Sequence, residues 1–318
     1  MYVRRREREV QVDSPAKVNL FLEVLGRRED GFHEIETLMA AVAIFDTVRV
    51  SERSDDRLTR EARWMHGAIA SSPARSLEAA DAWGDLPLGP ENLVLRALAE
   101  LRHAAGVERG ARVQLLKRIP SAAGLGGASG DAAAALVAGN QLWNLGWSRD
   151  QLAEVAARLG SDIPFFLGDD EGRLAAAICR GRGERIEPAE VGGRLDLVIV
   201  RPPEGLSTAQ VYRACRPADR PCSLEPLLAA LRRGDPAAVG RGLVNRLEPA
   251  AAQLSPWIGR LRAMFDRLGV CGHQMSGSGT SYFGICRHAG QARAVARRLR
   301  TSGLYAVATH SLGVSLKR

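Results

Sequence analysis

The sequence predicts a chain of mixed α and β structure in two parts, and three observations lead there. Residues 10–50 are β-rich, with stretches that alternate apolar and polar side chains at the period of two that belongs to strands. After residue 90, helical spacing and strand-like runs take turns. The composition then changes at Arg201-Pro202-Pro203-Glu204-Gly205, which divides the chain into residues 1–200 and 201–318. A length of 318 residues suffices for one large domain or two ordinary ones with their own cores.

Residues 1–9 are dense in charge and read as frayed, and residues 10–12 read as a short strand. From Val18 onward, Val18, Leu20, Leu22 and Val24 alternate with Asn19, Phe21 and Glu23, so Lys17 and Asn19 share the face opposite the aliphatic set. Such a pair is either a polar site or an exposed strand face. Asp30-Gly31 signals a turn before Phe32-His33, and residues 42–50 read as another strand. Residues 53–90, with Asp55-Asp56 and Ser71-Ser72-Pro73, read as a loop-rich insertion. Leu93, Ala97, Leu98 and Leu101 have helical spacing that ends at Gly106, and residues 113–116 read as a strand.

That strand feeds Pro120-Ser121-Ala122-Ala123-Gly124-Leu125-Gly126-Gly127-Ala128-Ser129-Gly130-Asp131, followed by four alanines. Glycine admits positive φ and close approach of a ligand to the backbone, and a helix N-terminus offers unpaired amide hydrogens to an anion. The stretch is therefore either a phosphate cradle or an ordinary turn capped by Ser129 or Asp131. It lacks the Lys-Ser/Thr ending of a Walker loop and does not fit the dinucleotide fingerprint.

Its helix should run to about Trp143, and Ser148 with Gln151 forms a capping-box signature for the next helix, to Leu159. Asp162, between a glycine-serine pair and Ile163-Pro164-Phe165-Phe166, is either a helix cap or an acid/base group. Strands are expected at 174–179 and 195–200, helices at 224–233 and 256–268, and a basic amphipathic helix at 291–301. Gln274 to Ile285 is a second glycine-rich turn running into a strand, and a strand at 306–316 ends the chain.

Hydrophobic residues make up 46% and charged residues 25%, the range of water-soluble folded domains. The net charge of +8 suits an anionic ligand but also a solvated arginine-rich surface. Five cysteines with no C-x-x-C pair argue against a disulfide framework or zinc cluster, and a cytoplasmic location is expected. No apolar run reaches membrane-spanning length.

The order of the motifs is more specific than any one of them. Pro15-Ala16-Lys17-Val18-Asn19-Leu20, Asp30-Gly31-Phe32-His33, Gly124 to Ser129, Gly160 to Phe166 and Met275 to Thr280 together resemble the GHMP small-molecule kinases, over nearly the whole chain. The resemblance implies an α+β fold of two domains, an S5-like N-terminal and a ferredoxin-like C-terminal one, with a cleft between. It also implies ATP and Mg2+ as cofactors, and a small-molecule cytidine diphosphate substrate phosphorylated on the 2-hydroxyl of its methylerythritol end, in the non-mevalonate route to isoprenoid precursors. Neither nucleic acid nor membrane is an expected partner, and the expected state is a monomer or weak homodimer. Another GHMP kinase, of homoserine or mevalonate type, and a non-catalytic basic RNA-binding protein are the alternatives.

Residue by residue, the resemblance implies Asp162 as the base and Lys17 beside it, stabilising charge near the reacting oxygen. Asn19 would hydrogen-bond the methylerythritol end, and Phe32, His33 and Tyr212 would surround the cytosine. Thr208 and Gly277, Ser278, Gly279 and Thr280 would line the substrate or phosphate side. Asn92, Pro120, Ala122, Ala123, Gly124, Leu125, Gly126, Gly127, Ala128, Ser129 and Gly130 would form the ATP side. Relatives usually carry glycine at Ala123 and Ala128, where alanine would restrict positive φ, and tyrosine at Phe32.

Overall fold

Tyr2–Arg6 (β1) folds back on Glu9–Arg27 (β2) as a hairpin, with Tyr2 opposite Asp13 and Arg6 opposite Glu9. The charged start is thus ordered rather than frayed, because a strand ladder is made by backbone groups and the arginine side chains point into solvent. The computed structural model describes residues 1–65, 92–169 and 171–313.

The two short strands expected near the start are one, β2. It is buried on both faces from Ser14 to Val24. Irregularities at Pro15/Ala16, Asn19/Phe21 and Val24/Gly26 let it bend, and the first accommodates a proline that cannot donate to a ladder. Its neighbour β3 (His33–Glu52) is also longer than the expected 42–50, because it serves two partners. Residues 47–52 pair with β5 (Ala111–Lys117), and residues 35–40 pair with β6 (Ala176–Gly181). Between these in the chain, β4 (Leu58–Trp64) runs parallel to β5, so part of the expected insertion is a sheet edge; residues 66–91 lie outside the described residues. The strand β7 (Arg185–Ala189) pairs with β6.

Among the described residues, four helices pack over this sheet or on one another. Asn92 caps α1 (Leu93–Ala105), which stops at Gly106 with φ 63°. The alanine-rich α2 (Gly127–Leu142) is buried nearly all round, as a helix apolar on every side must be, and packs on α1, β2 and β3. The capping box at Ser148 and Gln151 opens α3 (Arg149–Leu159). The short α4 (Ile163–Leu167) follows Asp162 directly.

The expected boundary at residue 201 falls at the end of β8 (Asp196–Arg201), a strand of the second sheet. After it come α5 (Thr208–Ala214), α6 (Glu225–Arg233), α7 (Pro236–Arg241), β9 (Val244–Asn245), α8 (Glu248–Leu254) and α9 (Pro256–Phe265). Then come β10 (Gly272–Met275), β11 (Tyr282–Cys286), α10 (Ala289–Thr301) and β12 (Tyr305–His310). The second sheet has the order β10-β11-β8-β12, antiparallel throughout. Beyond β12, which is shorter than the expected 306–316, Ser311 bridges Val42; residues 314–316 lie outside the described residues.

The result is a two-domain α+β architecture whose sheets share a core. Ala16, Val18 and Leu20 of β2 and Leu38, Ala40 and Val42 of β3 pack with Leu197, Ile199, Phe283 and Ile285 of the second sheet. Burying each of the larger of these side chains, Val, Leu, Ile and Phe, contributes about 1.5–3 kcal/mol. The two-residue β9 also crosses over to pair with Phe21 and Leu22 of β2. Among the described residues, no helix is long and apolar enough to cross a membrane.

Candidate functional site

The strand β2 places Lys17 and Asn19 as its alternation requires, but buried rather than on an exposed face, with 4% and 1% exposure. A buried ammonium needs partners, and Lys17 Nζ has two. It donates to Asn19 Oδ1 at 2.8 Å and lies 3.2 Å from Asp162 Oδ2. Asn19 in turn donates to Thr37 Oγ1 at 2.8 Å, which fixes the orientation of its amide. Asp162 stands at the N-cap position of α4, yet its side chain makes no capping hydrogen bond. Of the two uses open to it in the sequence, the geometry leaves its partly exposed carboxylate to Lys17 and the cavity.

Two glycine-rich turns meet above this pair. Gly124 and Gly126 have φ of 71° and 70°, and a Cβ on Gly124 would fall 2.1 Å from the Ser276 carbonyl oxygen. Ser276 Oγ donates to Gly124 O at 2.9 Å and Ser281 N donates to Ala123 O at 3.1 Å, so the turns are stitched together. Gly126 is the N-cap of α2, without any side-chain cap, so neither Ser129 nor Asp131 caps the helix. Its first-turn amides therefore have no capping side chain as acceptor. Ala122, Gly124, Gly126 and Ser129 face the cavity, whereas Pro120, Ala123, Leu125, Gly127 and Gly130 are buried beneath the loop and Ala128 is exposed outside it. The alanine with positive φ is Ala122, at 49°; neither Ala123 nor Ala128 needs that conformation, so alanine there imposes no such restriction.

A cavity of about 910 Å³ opens between these turns and the aromatic wall. The His33 and Tyr212 rings lie 5.2 Å apart at 36°. Phe32 is half exposed, and the Arg182 guanidinium lies 4.9 Å from its ring centroid. Burial, and then the nearby Arg27 charge, hold the His33 imidazole below its ordinary value. Thr208 and Ser278 join hydroxyls at 2.8 Å, while Thr280 is buried and donates to Glu204 O. Lys17, Arg27, Arg182 and Arg213 line the cavity against one acid, Asp162, which suits an anionic ligand. Asn92 is not among the lining residues; its Oδ1 accepts the Val94 amide at the start of α1.

Beneath the loop, Lys117 is buried and donates to Asp46 and, at 2.6 Å, to Asp131. Burial alone would lower the Lys117 ammonium; the two carboxylates outweigh it and push it up. Asp46 also accepts the Ile119 amide at 2.9 Å, which ties β3 to the strand that enters the loop. Among the described residues, no group of three or more His, Cys, Asp and Glu side chains is placed to hold a metal ion.

Comparison with known proteins bears on this arrangement. Residues 92–169 match the GHMP kinases N terminal domain, and residues 227–304 match GHMP kinases C terminal. A 4-diphosphocytidyl-2-C-methyl-D-erythritol kinase from Pelotomaculum thermopropionicum is 41% identical over 287 residues, 90% of this chain and 92% of the relative. One from Symbiobacterium thermophilum is 41% identical over 281 residues, 87% and 90% of the two chains. A crystal structure of 4-(cytidine 5'-diphospho)-2C-methyl-D-erythritol kinase is 35% identical with a TM-score of 0.75, covering 96% of this chain and all of that one. The chain belongs to the 4-diphosphocytidyl-2-C-methyl-D-erythritol kinase family. A homoserine kinase from Cytophaga hutchinsonii, 19% identical with a TM-score of 0.69 over 98% and 97% of the two chains, shares the fold.

In this member of the 4-diphosphocytidyl-2-C-methyl-D-erythritol kinase family, several residues at the site escaped the sequence reading. Arg182 lines the cavity, and its place between Gly181 and Gly183 is the one local feature that sets it apart in the sequence. Arg27 and Arg213 have no such signal. Thr37 and Ser276 act through Asn19 and Gly124, contacts that only the folded chain creates.

Proposed function

We propose that the protein transfers the γ-phosphoryl group of ATP to the 2-hydroxyl of 4-diphosphocytidyl-2-C-methyl-D-erythritol. The observation that carries this reading is the Lys17–Asp162 pair, 3.2 Å apart, in a cavity shared by an uncapped glycine-rich helix start and an aromatic wall. The names of the relatives support the same substrate.

Asp162 accepts the proton of the attacking hydroxyl, and Lys17 balances the charge that develops at the oxygen. Asn19, held by Lys17 and Thr37, orients the sugar-alcohol end. His33, Phe32 and Tyr212 bind the cytosine, and the cationic lining balances the diphosphate. The free first-turn amides of α2, with Gly124, Gly126 and Ser129, fit the phosphates of ATP. Magnesium would neutralise charge on the transferred group, and the Ser129 hydroxyl, on the cavity side of the loop, would help to hold it with those phosphates. Catalysis is then mainly positioning and charge stabilisation.

The test is to incubate the protein with magnesium, ATP and 4-diphosphocytidyl-2-C-methyl-D-erythritol and identify the product by mass and phosphorus NMR. A new phosphomonoester on the 2-oxygen is expected. Turnover with homoserine or mevalonate but not with the cytidylylated substrate would overturn the reading.

A further inference from the structure

Between α7 and α8 the chain makes a short crossing that joins three parts of the site. Asn245, on β9, is buried, and all three of its side-chain hydrogen-bonding functions that matter here are engaged. Its Nδ2 donates to Met275 O at 2.8 Å and to Gly277 O at 2.9 Å, and its Oδ1 accepts the Leu247 amide at 3.0 Å. Its neighbours pin this segment to β2. β9 pairs with Phe21 and Leu22, the Arg246 amide donates to Leu22 O at 2.8 Å, and the Arg246 guanidinium grips the buried Glu23 carboxylate at 2.6 and 2.9 Å.

We infer that Asn245 is a positioning residue that holds the Gly277–Gly279 turn in register with Lys17 and Asn19. The inference rests on the proposed function for the meaning of that register. Asn245 itself does not line the cavity, so it acts through the turn. The turn sits close to the polar pair: a Cβ built on Gly277 would lie 3.2 Å from Asn19 Oδ1 and 3.4 Å from Lys17 Nζ. A small displacement of the turn would therefore change the space in which the phosphoryl group meets the acceptor hydroxyl. Misplacement by about 1 Å can cost roughly 10²-fold in rate. One amide spans the two carbonyls on either side of Ser276, whose hydroxyl also holds the glycine loop, so both turns depend on it.

Asn245→Asp keeps the shape but turns the donor into an acceptor facing two carbonyls; Asn245→Ser leaves a single, shorter donor. Both variants are compared with the wild type for kcat, for KM of ATP and of the cytidylylated substrate, for melting temperature, and for hydrogen exchange across residues 275–281. The expected result is a kcat lower by about tenfold or more, with Asp worse than Ser. KM for the cytidylylated substrate should stay unchanged, because Phe32, His33 and Tyr212 are untouched, and exchange should rise in the turn alone. Unchanged kcat and exchange in folded variants overturn the inference. So does loss of the fold in both variants, which would make Asn245 a determinant of stability only. A wild type that fails to phosphorylate the cytidylylated substrate refutes the proposed function instead; the exchange measurement, which needs no substrate, still decides the role of Asn245.

Discussion

Asp162 and Lys17 show what single residues reveal before and after folding. The alternation of β2 put Lys17 and Asn19 on one face, but no spacing rule could bring them to Asp162, more than a hundred residues away in the chain. Since Asp162 makes no capping bond, Asp162→Asn should fold normally and bind ATP. Its kcat is expected to fall by about 10²- to 10⁴-fold, the usual contribution of a general base; near-normal turnover would remove Asp162 from the mechanism. His33 supplies a pH test. Burial and Arg27 lower its imidazole below the ordinary 6.5, so the ring is neutral at pH 7. KM for the cytidylylated substrate should be flat above that value and rise as the pH falls through the lowered one, where the ring gains a proton. His33→Gln should flatten this acid limb, and an identical limb in the variant would assign the titration elsewhere.

At the scale of elements, the helix starts and stops were legible because they are local. Ser148 with Gln151, and Gly106, announce themselves within a few residues, whereas Asn92, expected on the ATP side, caps the first helix. The long strands were less so: β3 changes partner midway, and from Leu38 to Val42 it is buried on both faces, so that stretch shows no polar alternation. The glycine loop was legible as a turn but not in its demands, which come from contacts. Gly124 and Gly146 have nearly the same φ, 71° and 69°, but only Gly124 faces a crowded backbone. Alanine at either costs about 1–2 kcal/mol in backbone strain. Gly124→Ala should cost more than Gly146→Ala in chemical denaturation and should alone reduce turnover, because its Cβ would collide with Ser276. Equal effects would show that the stitched turns tolerate displacement.

The whole molecule is held by polar ties between its halves as well as by the shared apolar core. Glu23, on β2, is fully buried and paired with Arg246 and the Cys222 amide. Burial by itself would raise its carboxyl; the Arg246 hydrogen bonds and charge, with the amides of Cys222 and Val24, outweigh it and bring it below 4.5. A carboxyl lowered in the folded state stabilises it above the unfolded value, and that contribution is lost as the pH falls through the lowered one. Glu23→Gln should therefore cost about 1.5–3 kcal/mol at pH 7 and reduce the slope of stability against pH on the acid side. An unchanged slope would place acid sensitivity in other carboxylates. The change of composition at Arg201 to Gly205 is visible in the sequence, although β8 just before it already belongs to the second sheet; these ties are not visible, since Glu23 and Arg246 carry no mark of their pairing.

The crossing of β9 onto β2 also bears on how the chain is made. Phe21 and Leu22 wait for Val244 and Asn245, about 220 residues later. At roughly 5–20 residues per second, a ribosome needs about 10–45 s to deliver them. Throughout that interval the Leu22 carbonyl lacks the Arg246 amide that finally satisfies it, and the edge of β2 stays open to other chains. The half synthesised first is thus completed by the half synthesised later.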